Sequence, residues 1–185
     1  MKKFELTSEF VKNALGTKLF RIKALVKFGD VIAGELGGYV EKEENLAQDG
    51  NAWVYGNAKV YGDAKVCGDA KVYGNAEVCG NAEVYGNAWV CGDAEVCGDA
   101  EVCGDADYST VKGFGRIFRT TTFFRKKDKD IGVSCGCFYG TLEEFRKKVK
   151  ETHGESKTAK EYLMLADLME YKFSREMDVE EEVNQ

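Results

Sequence analysis

The sequence contains no proline in 185 residues, whereas ordinary usage of about 5% would give roughly nine. Proline lacks the N–H that a strand paired on both sides must donate, so its absence fits strands that are hydrogen-bonded on both edges. Long apolar runs are missing too, and none approaches the roughly 20 residues of a membrane-spanning helix. The N-terminus shows neither a long apolar stretch nor a cleavage site. We therefore expect no membrane association and a cytoplasmic location.

The chain is poor in histidine but contains several cysteines. The chain has one histidine and seven cysteines, and without a secretion signal these cysteines are expected to be free thiols in a reducing compartment. The net charge is −6, and it is spread unevenly. Residues 50–108 carry three basic and ten acidic side chains, whereas the segments on either side are nearly balanced.

A six-residue repeat fills that acidic region. The pattern Gly-(Asn/Asp)-Ala-x occurs ten times in succession between Gly50 and Asp107, and Val-(Tyr/Cys) follows it nine times. Strict repetition at a short period is typical of a solenoid, in which each turn is buried against its neighbours. Ala and Val at a spacing of two share one face of a strand, while Gly, Asn and Asp favour the turns. The sequence therefore predicts a parallel β-helix with Ala and Val inside.

The flanking segments predict caps on this solenoid. Residues 17–28 alternate as a strand does, Thr141 and Glu144 form a capping box that opens a helix, and a second helix is expected from Lys157 to Phe173. The first coil is irregular, because Val40 and Leu46 fall in phase with Ala rather than with Val. The predicted organisation has an N-terminal cap with a strand at 1–31, a solenoid at 32–108, a β-hairpin at 109–140, a helical hairpin at 141–175 and a disordered acidic tail at 176–185.

The repeats resemble the bacterial hexapeptide-repeat proteins, in which a small residue, an aliphatic residue two positions later and a turn residue recur as Ala52, Val54 and Asn57 do here. The resemblance implies a mainly β fold, a left-handed parallel β-helix with three hexapeptides per coil. The lead-in Gly34–Val40 is similar to that of solenoid proteins from bacterial and prophage genomes, so a phage or prophage origin is a further expectation. The chain departs from the family's enzymes by placing Tyr or Cys after Val.

A coil of three hexapeptides stacks residues that are 18 apart, at about 4.8 Å. One outward column then combines both tryptophans of the chain with a lysine, and two tyrosines flank it. We call this surface the aromatic face, and it comprises Trp53, Tyr55, Lys71, Tyr73 and Trp89. Either it binds a protein partner or a second copy in a dimer or trimer, because exposed aromatic patches mark interaction sites, or the C-terminal elements fold back over it.

The chain has a single histidine, His153, whereas the enzymes of the family depend on histidines for catalysis or for zinc binding. The family's acyltransferases use a solenoid histidine as general base and bind coenzyme A between neighbouring prisms, and its carbonic anhydrases hold zinc with several histidines. His153 lies outside the repeats, at a helix end where the dipole favours it. We therefore predict no catalytic residue, no metal and no cofactor.

Other groups carry weaker signals. A secondary basic patch of Arg116, Arg119, Arg125, Lys126 and Lys127, with nearby Phe118, Phe123 and Phe124, is a weak nucleic-acid pattern, and we interpret the Phe residues as the buried side of a hairpin. Strand alternation places Cys135 and Cys137 on one face beside Val133, which favours core packing over a redox or metal site. Stacked glutamates of the repeats are interpreted as solvated carboxylates rather than cation ligands.

These observations favour a non-enzymatic, rigid protein-binding or scaffold module, without nucleic acid as partner. Two alternatives remain open. One is a coenzyme A-dependent hexapeptide acyltransferase that has lost or relocated its histidine. The other is an acidic mimic that occupies a nucleic-acid-binding enzyme, which the charge of the solenoid allows.

Overall fold

The computed structural model describes residues 2–115 and 119–174, so the acidic tail predicted for 176–185 lies outside it. The contacts within the chain define two compact units, Met1–Asp105 and Ala106–Gln185. The first unit contains the repeats, and the second contains an antiparallel sheet and two helices. Neither of these helices is long and apolar enough to cross a membrane.

Three antiparallel strands precede the repeats: β1 Phe4–Lys12, β2 Lys18–Ala24 and β3 Leu36–Val40. β2 pairs with both of its neighbours and buries Ile22. The alternating pattern over 17–28 predicted β2, whereas β1 was not predicted. β3 also pairs in parallel with the first strand of the next coil, so the N-terminal sheet continues directly into the solenoid.

Nine strands of two residues each follow at intervals of six residues, and they are numbered β4 to β12 in chain order. They are Trp53–Val54, Lys59–Val60, Lys65–Val66, Lys71–Val72, Glu77–Val78, Glu83–Val84, Trp89–Val90, Glu95–Val96 and Glu101–Val102. They form three parallel stacks in the orders β3-β5-β8-β11, β4-β7-β10 and β6-β9-β12. The predicted mainly β solenoid with 18-residue coils is confirmed, and its left hand stays a prediction from the resemblance.

The interior of the solenoid consists of the repeat Ala and Val side chains. Every repeat Val from Val54 to Val102 and every repeat Ala from Ala52 to Ala100 is fully buried, and the Val residues of successive coils are paired in register. The repeat glycines from Gly50 to Gly98 turn the corners with left-handed φ angles. At Gly80, where φ is +70°, an added Cβ would also lie 2.9 Å from the Cα of Gly98, so the corner excludes any side chain.

The first coil corrects the predicted phase of Val40 and Leu46. Both stack on Val positions, because Val40 pairs with Val60 and Leu46 bridges to Val66, 20 residues away instead of 18. Two extra residues at the corner after Ala47 account for the shift. The side chain of Gln48 in this wide corner accepts a hydrogen bond of 2.8 Å from the backbone N–H of Lys3, so the N-terminal strand fixes the irregular coil.

The second unit begins with a four-stranded antiparallel sheet. Its strands are β13 Tyr108–Phe114, β14 Arg119–Arg125, β15 Ile131–Cys135 and β16 Phe138–Thr141, in that order. The predicted hairpin is the β14–β15 pair, in which Arg125 lies opposite Ile131. The outer strands β13 and β16 were not predicted, because their residues lack a clean alternation of apolar and polar side chains.

Two helices, α1 Leu142–His153 and α2 Lys157–Ser174, complete the second unit. The predicted capping box is present: the hydroxyl of Thr141 accepts the N–H of Glu144 at 3.2 Å, and the carboxylate of Glu144 accepts the N–H of Thr141 at 2.8 Å. Both helices pack against the sheet through Phe145, Tyr162 and Phe123. The buried residues of α2 are Ala159, Tyr162, Leu165, Ala166, Met169 and Phe173, and Leu163 is partly buried against them.

Candidate functional site

The aromatic face has the predicted register on the stack β4-β7-β10. Lys71 lies between Trp53 and Trp89 in the hydrogen-bonded ladder. Tyr55 and Tyr73 project beside this column, where their rings stack with centroids 4.7 Å apart and planes inclined by 14°. The ring of Tyr73 also meets the indole of Trp89 edge-on at 5.9 Å. Three aromatic side chains thus form a continuous row along the solenoid axis.

Trp53 does not belong to the exposed part of this face, which corrects the expectation that its side chain is accessible on the surface. It is fully buried, with Phe4 at 6.2 Å and Phe28 at 5.3 Å, both in edge-on geometry. The N-terminal strand and the loop after β2 cover its column position. The ammonium of Lys3 closes the same region by donating to the carbonyls of Asp49 and Ala52, and burial lowers the pKa of Lys3 to about 8.

The exposed part of the aromatic face consists of Trp89, which is 51% exposed, and of Tyr55, Lys71 and Tyr73, which are partly buried. Lys71 holds its ammonium 5.4 Å from the Trp89 ring centroid and 2.7 Å from the Oδ2 of Asp30. The hydrogen bond to Asp30 raises the pKa of Lys71 and lowers that of the carboxyl group. The one cation of the face is therefore already balanced by a neighbouring carboxylate.

The two other faces of the solenoid are polar. On the β5-β8-β11 stack, Glu77 accepts from the ammonium of Lys59 at 2.8 Å and from the hydroxyl of Tyr61 at 2.9 Å. Beside it, Cys79 and Cys97 form no disulfide. Their thiols are hydrogen-bonded to each other, which lowers the pKa of Cys79 and raises the pKa of Cys97. These carboxylates and thiols are satisfied by neighbours in the stack rather than collected around a common point. Across the described part of the chain, no cluster of three or more His, Cys, Asp or Glu side chains suits a metal ion.

At three corner positions, Asn in one coil alternates with Asp in the next. The side-chain amide donates to the carboxylate one coil away in the pairs Asn51–Asp69 at 2.8 Å, Asn75–Asp93 at 3.1 Å and Asn81–Asp99 at 3.1 Å. An amide stacked on a carboxylate gives a hydrogen bond where two carboxylates would repel. The alternation therefore supports stacking and gives no indication of a cation site.

The predicted basic patch does not form one cationic surface among the described residues. Arg125 pairs with Asp107 at 3.5 Å and donates to the backbone oxygen of Phe173 at 2.6 Å, so it ties the sheet to α2. Lys126 pairs with Asp128 at 3.1 Å, while Phe123 and Phe124 are both buried. Arg116 and Phe118 lie outside the described residues. Of the predicted patch, Arg125 and Lys126 are therefore engaged in ion pairs, whereas Arg119 and Lys127 are exposed.

Arg119 lines a cavity of about 360 Å³ in the second unit, which sequence reasoning did not predict. The cavity also contains His153 and both thiols of the Cys-Gly-Cys segment. Contrary to the prediction, Cys135 and Cys137 do not share a strand face, because β15 ends at Cys135 and Cys137 is exposed after the turn at Gly136. The only sequence signal for this site was the unusual residue types themselves, in segments with no shared periodicity.

Fold and surface together define a β-solenoid of six-residue repeats with one exposed aromatic row. No protein-family model matches the chain. Over 62 residues the chain is 44% identical to a protein of Escherichia coli (strain K12) named "Uncharacterized acetyltransferase YdcK". That stretch covers 30% of this chain and 19% of the relative, so the chain spans about a fifth of the length of that protein.

Proposed function

We propose that this chain is a rigid module that binds a partner protein through the exposed part of the aromatic face. The observation that carries the proposal is the row Tyr55, Tyr73 and Trp89, in which each ring contacts the next and the last indole is half exposed. Tyrosine and tryptophan supply much of the energy at protein interfaces, because they bury large areas.

The backbone beneath the row supports this function because it is fixed before any partner arrives. The N–H of Tyr55 donates to Val72 and that of Tyr73 donates to Val90, each at 2.8 Å. Ring stacking restrains the side chains in addition. A surface ordered in advance loses little conformational entropy on binding, which favours affinity.

The size and charge of the row indicate the kind of partner. Three strands about 4.8 Å apart extend only roughly 10 Å along the axis, so the row is short. A stable pair of globular proteins needs about 800 Å² from each partner. Because Lys71 is already paired with Asp30, we commit to a short, extended apolar segment of a partner protein, with the three rings as its anchors.

Replacing Trp89 by serine should weaken binding of that segment about 30-fold, or about 2 kcal/mol, as loss of an aromatic anchor does. The fold should persist because Trp89 points outward. Wild type, Trp89→Ser and the matched control Lys65→Ser, which changes an exposed side chain at the equivalent strand position of another face, are immobilised and exposed to host lysate. Quantitative mass spectrometry should find proteins retained by wild type and Lys65→Ser but lost from Trp89→Ser.

Two outcomes contradict this proposal. If both variants retain the same proteins as wild type, the row has no role in binding. If sedimentation shows wild type as an oligomer that Trp89→Ser dissociates, the occupant is a second copy of the chain and the choice of a partner segment is wrong.

Acyl transfer is the second candidate, favoured by the name of the Escherichia coli relative and its 44% identity over 62 residues. What opposes it is the position of His153, which ends α1 in the second unit while the coils hold no histidine. A general base must reach the acceptor group whose proton it takes.

Incubation with acetyl-coenzyme A and a panel of amine and hydroxyl acceptors should therefore give no acetylated product. Chromatography of coenzyme A is the suitable readout, because the seven thiols of the chain would react with thiol dyes. Micromolar binding of acetyl-coenzyme A together with turnover that falls in His153→Ala would establish the acyltransferase and reject the scaffold.

A further inference from the structure

We propose that the cavity of the second unit is a binding site for a small organic carboxylate with an apolar body. The cavity has a volume of about 360 Å³, within the range of sites that enclose small ligands. Its residues come from the start of β14 and from the β15–β16 turn together with both helices. This site is separate from the aromatic face, so either proposal can fail without the other.

The walls of the cavity are apolar and ordered. Phe145 and Val149 of α1 and Tyr162 of α2 are nearly fully buried and belong to the hydrophobic core of the unit. Phe138 closes another side, with its ring centroid 5.5 Å from that of Phe145. Side chains that pack in the core on one side and face a cavity on the other give a preformed surface for hydrocarbon or aryl groups.

The polar part of the lining includes the cations of Arg119 and Lys148 beside His153, and no aspartate or glutamate lines the cavity. Among the described residues Arg119 has no carboxylate partner, and the ion pair of Lys148 with Glu151 is long, at 3.9 Å, and exposed. A guanidinium presents paired N–H donors that match a carboxylate. The charges therefore complement an anion, and the walls complement an apolar group attached to it.

Gly136 positions the guanidinium of Arg119. A Cβ built at Gly136 would overlap the Arg119 guanidinium, so the arginine lies directly across this residue. Gly136 also has a φ of +64°, which glycine adopts without strain. The guanidinium of Arg119 thus packs on the backbone of the Cys-Gly-Cys turn. This close approach accounts for a glycine between the two cysteines, which the predicted strand did not.

The phenol of Tyr162 also lies among these groups. It hydrogen-bonds with Cys135, and burial raises the pKa of Tyr162 to about 12. The hydroxyl of Thr121 donates to the same sulfur at 3.2 Å. The ring of His153 stacks near Tyr162, with centroids 6.0 Å apart, so the imidazole is held at the cavity as well.

Calorimetric titration with octanoate tests the assignment, and octanamide of the same length serves as the neutral control. We expect octanoate to bind in the micromolar to millimolar range and octanamide to bind at least tenfold more weakly. Arg119→Met should lower the octanoate affinity at least tenfold, and Thr152→Trp should abolish binding by filling the cavity from an exposed helix position. Lys147→Met, one residue outside the lining on the same helix, should bind as wild type does.

Thiol alkylation provides a second readout on the wild-type chain. Octanoate should slow the reaction of iodoacetamide with Cys135 and Cys137, measured by peptide mass spectrometry, and should leave Cys91 of the solenoid unchanged. The assignment is overturned if octanoate does not bind up to its solubility limit, if octanamide binds equally well, or if folded Arg119→Met keeps wild-type affinity.

Discussion

Replacing Val78 by aspartate should unfold the solenoid. Val78 is fully buried in the middle coil, where β8 is hydrogen-bonded to β5 on one side and to β11 on the other. A buried carboxylate without a partner costs several kcal/mol, comparable with the entire stability of about 5–15 kcal/mol for a domain. Because each coil is stabilised by its neighbours, the defect cannot be confined to one turn. Circular dichroism should show loss of β structure at room temperature.

Trp89→Asp is the matched control for this substitution. It places the same carboxylate on an outward strand position of the solenoid, where water solvates it, so its free energy of unfolding should change by less than about 1 kcal/mol. If Val78→Asp keeps the spectrum and the melting temperature of wild type, the repeat valines are not the interior and the proposed solenoid is wrong.

Replacing Trp53 by alanine should destabilise the first unit by about 3–5 kcal/mol, the usual cost of truncating a buried tryptophan. The indole fills the space between Phe4 and Phe28, so its removal leaves a cavity under the N-terminal strand. Trp89→Ala, at a residue that is 51% exposed, should cost less than about 1 kcal/mol. Urea denaturation of the two variants measures the difference directly.

Fluorescence gives an independent check, because the chain has only two tryptophans. In Trp89→Phe the remaining emission comes from buried Trp53 and should be blue-shifted and resistant to acrylamide. Equal destabilisation by Trp53→Ala and Trp89→Ala, or easy quenching of Trp53, would contradict the covered position of Trp53.

The coils were predictable because their information is local. Ala and Val two residues apart, followed by a glycine corner, determine the inward face of every hexapeptide, and a period of 18 determines which residues stack. The pairing of Trp53 with Lys71 and of Lys71 with Trp89 follows from the 18-residue period alone. Nothing in it depends on residues far away in the sequence.

The burial of Trp53 was not predictable by the same reasoning. Its position in the hexapeptide points outward, as that of Trp89 does, and the difference is made by Phe4 and Phe28 from the N-terminal segment. The first coil differs from the later coils by its wide corner. There the side chain of Gln48 accepts a hydrogen bond from the backbone N–H of Lys3, which holds the N-terminal segment over Trp53. Contacts between distant segments of this kind leave no periodic signal.

The cavity of the second unit was hidden for a related reason. Arg119, Cys137 and His153 lie on a strand, a turn and a helix end, and they converge only after the sheet and the helices have packed. Each had a plausible local role in the sequence. The prediction that the two cysteines share a strand face failed because β15 ends one residue before Gly136.

Site-specific photo-crosslinking tests the proposed binding surface most directly. Benzoylphenylalanine replaces Tyr73 of the aromatic face in one variant and Tyr85 in a second. Both residues follow the repeat Val, but the hydroxyl of Tyr85 donates to Glu101 on another face. Irradiation in the host lysate should give a discrete protein adduct from position 73 and none from position 85. Adducts of equal yield from both positions, or from neither, would contradict the assignment of the aromatic face as the binding surface.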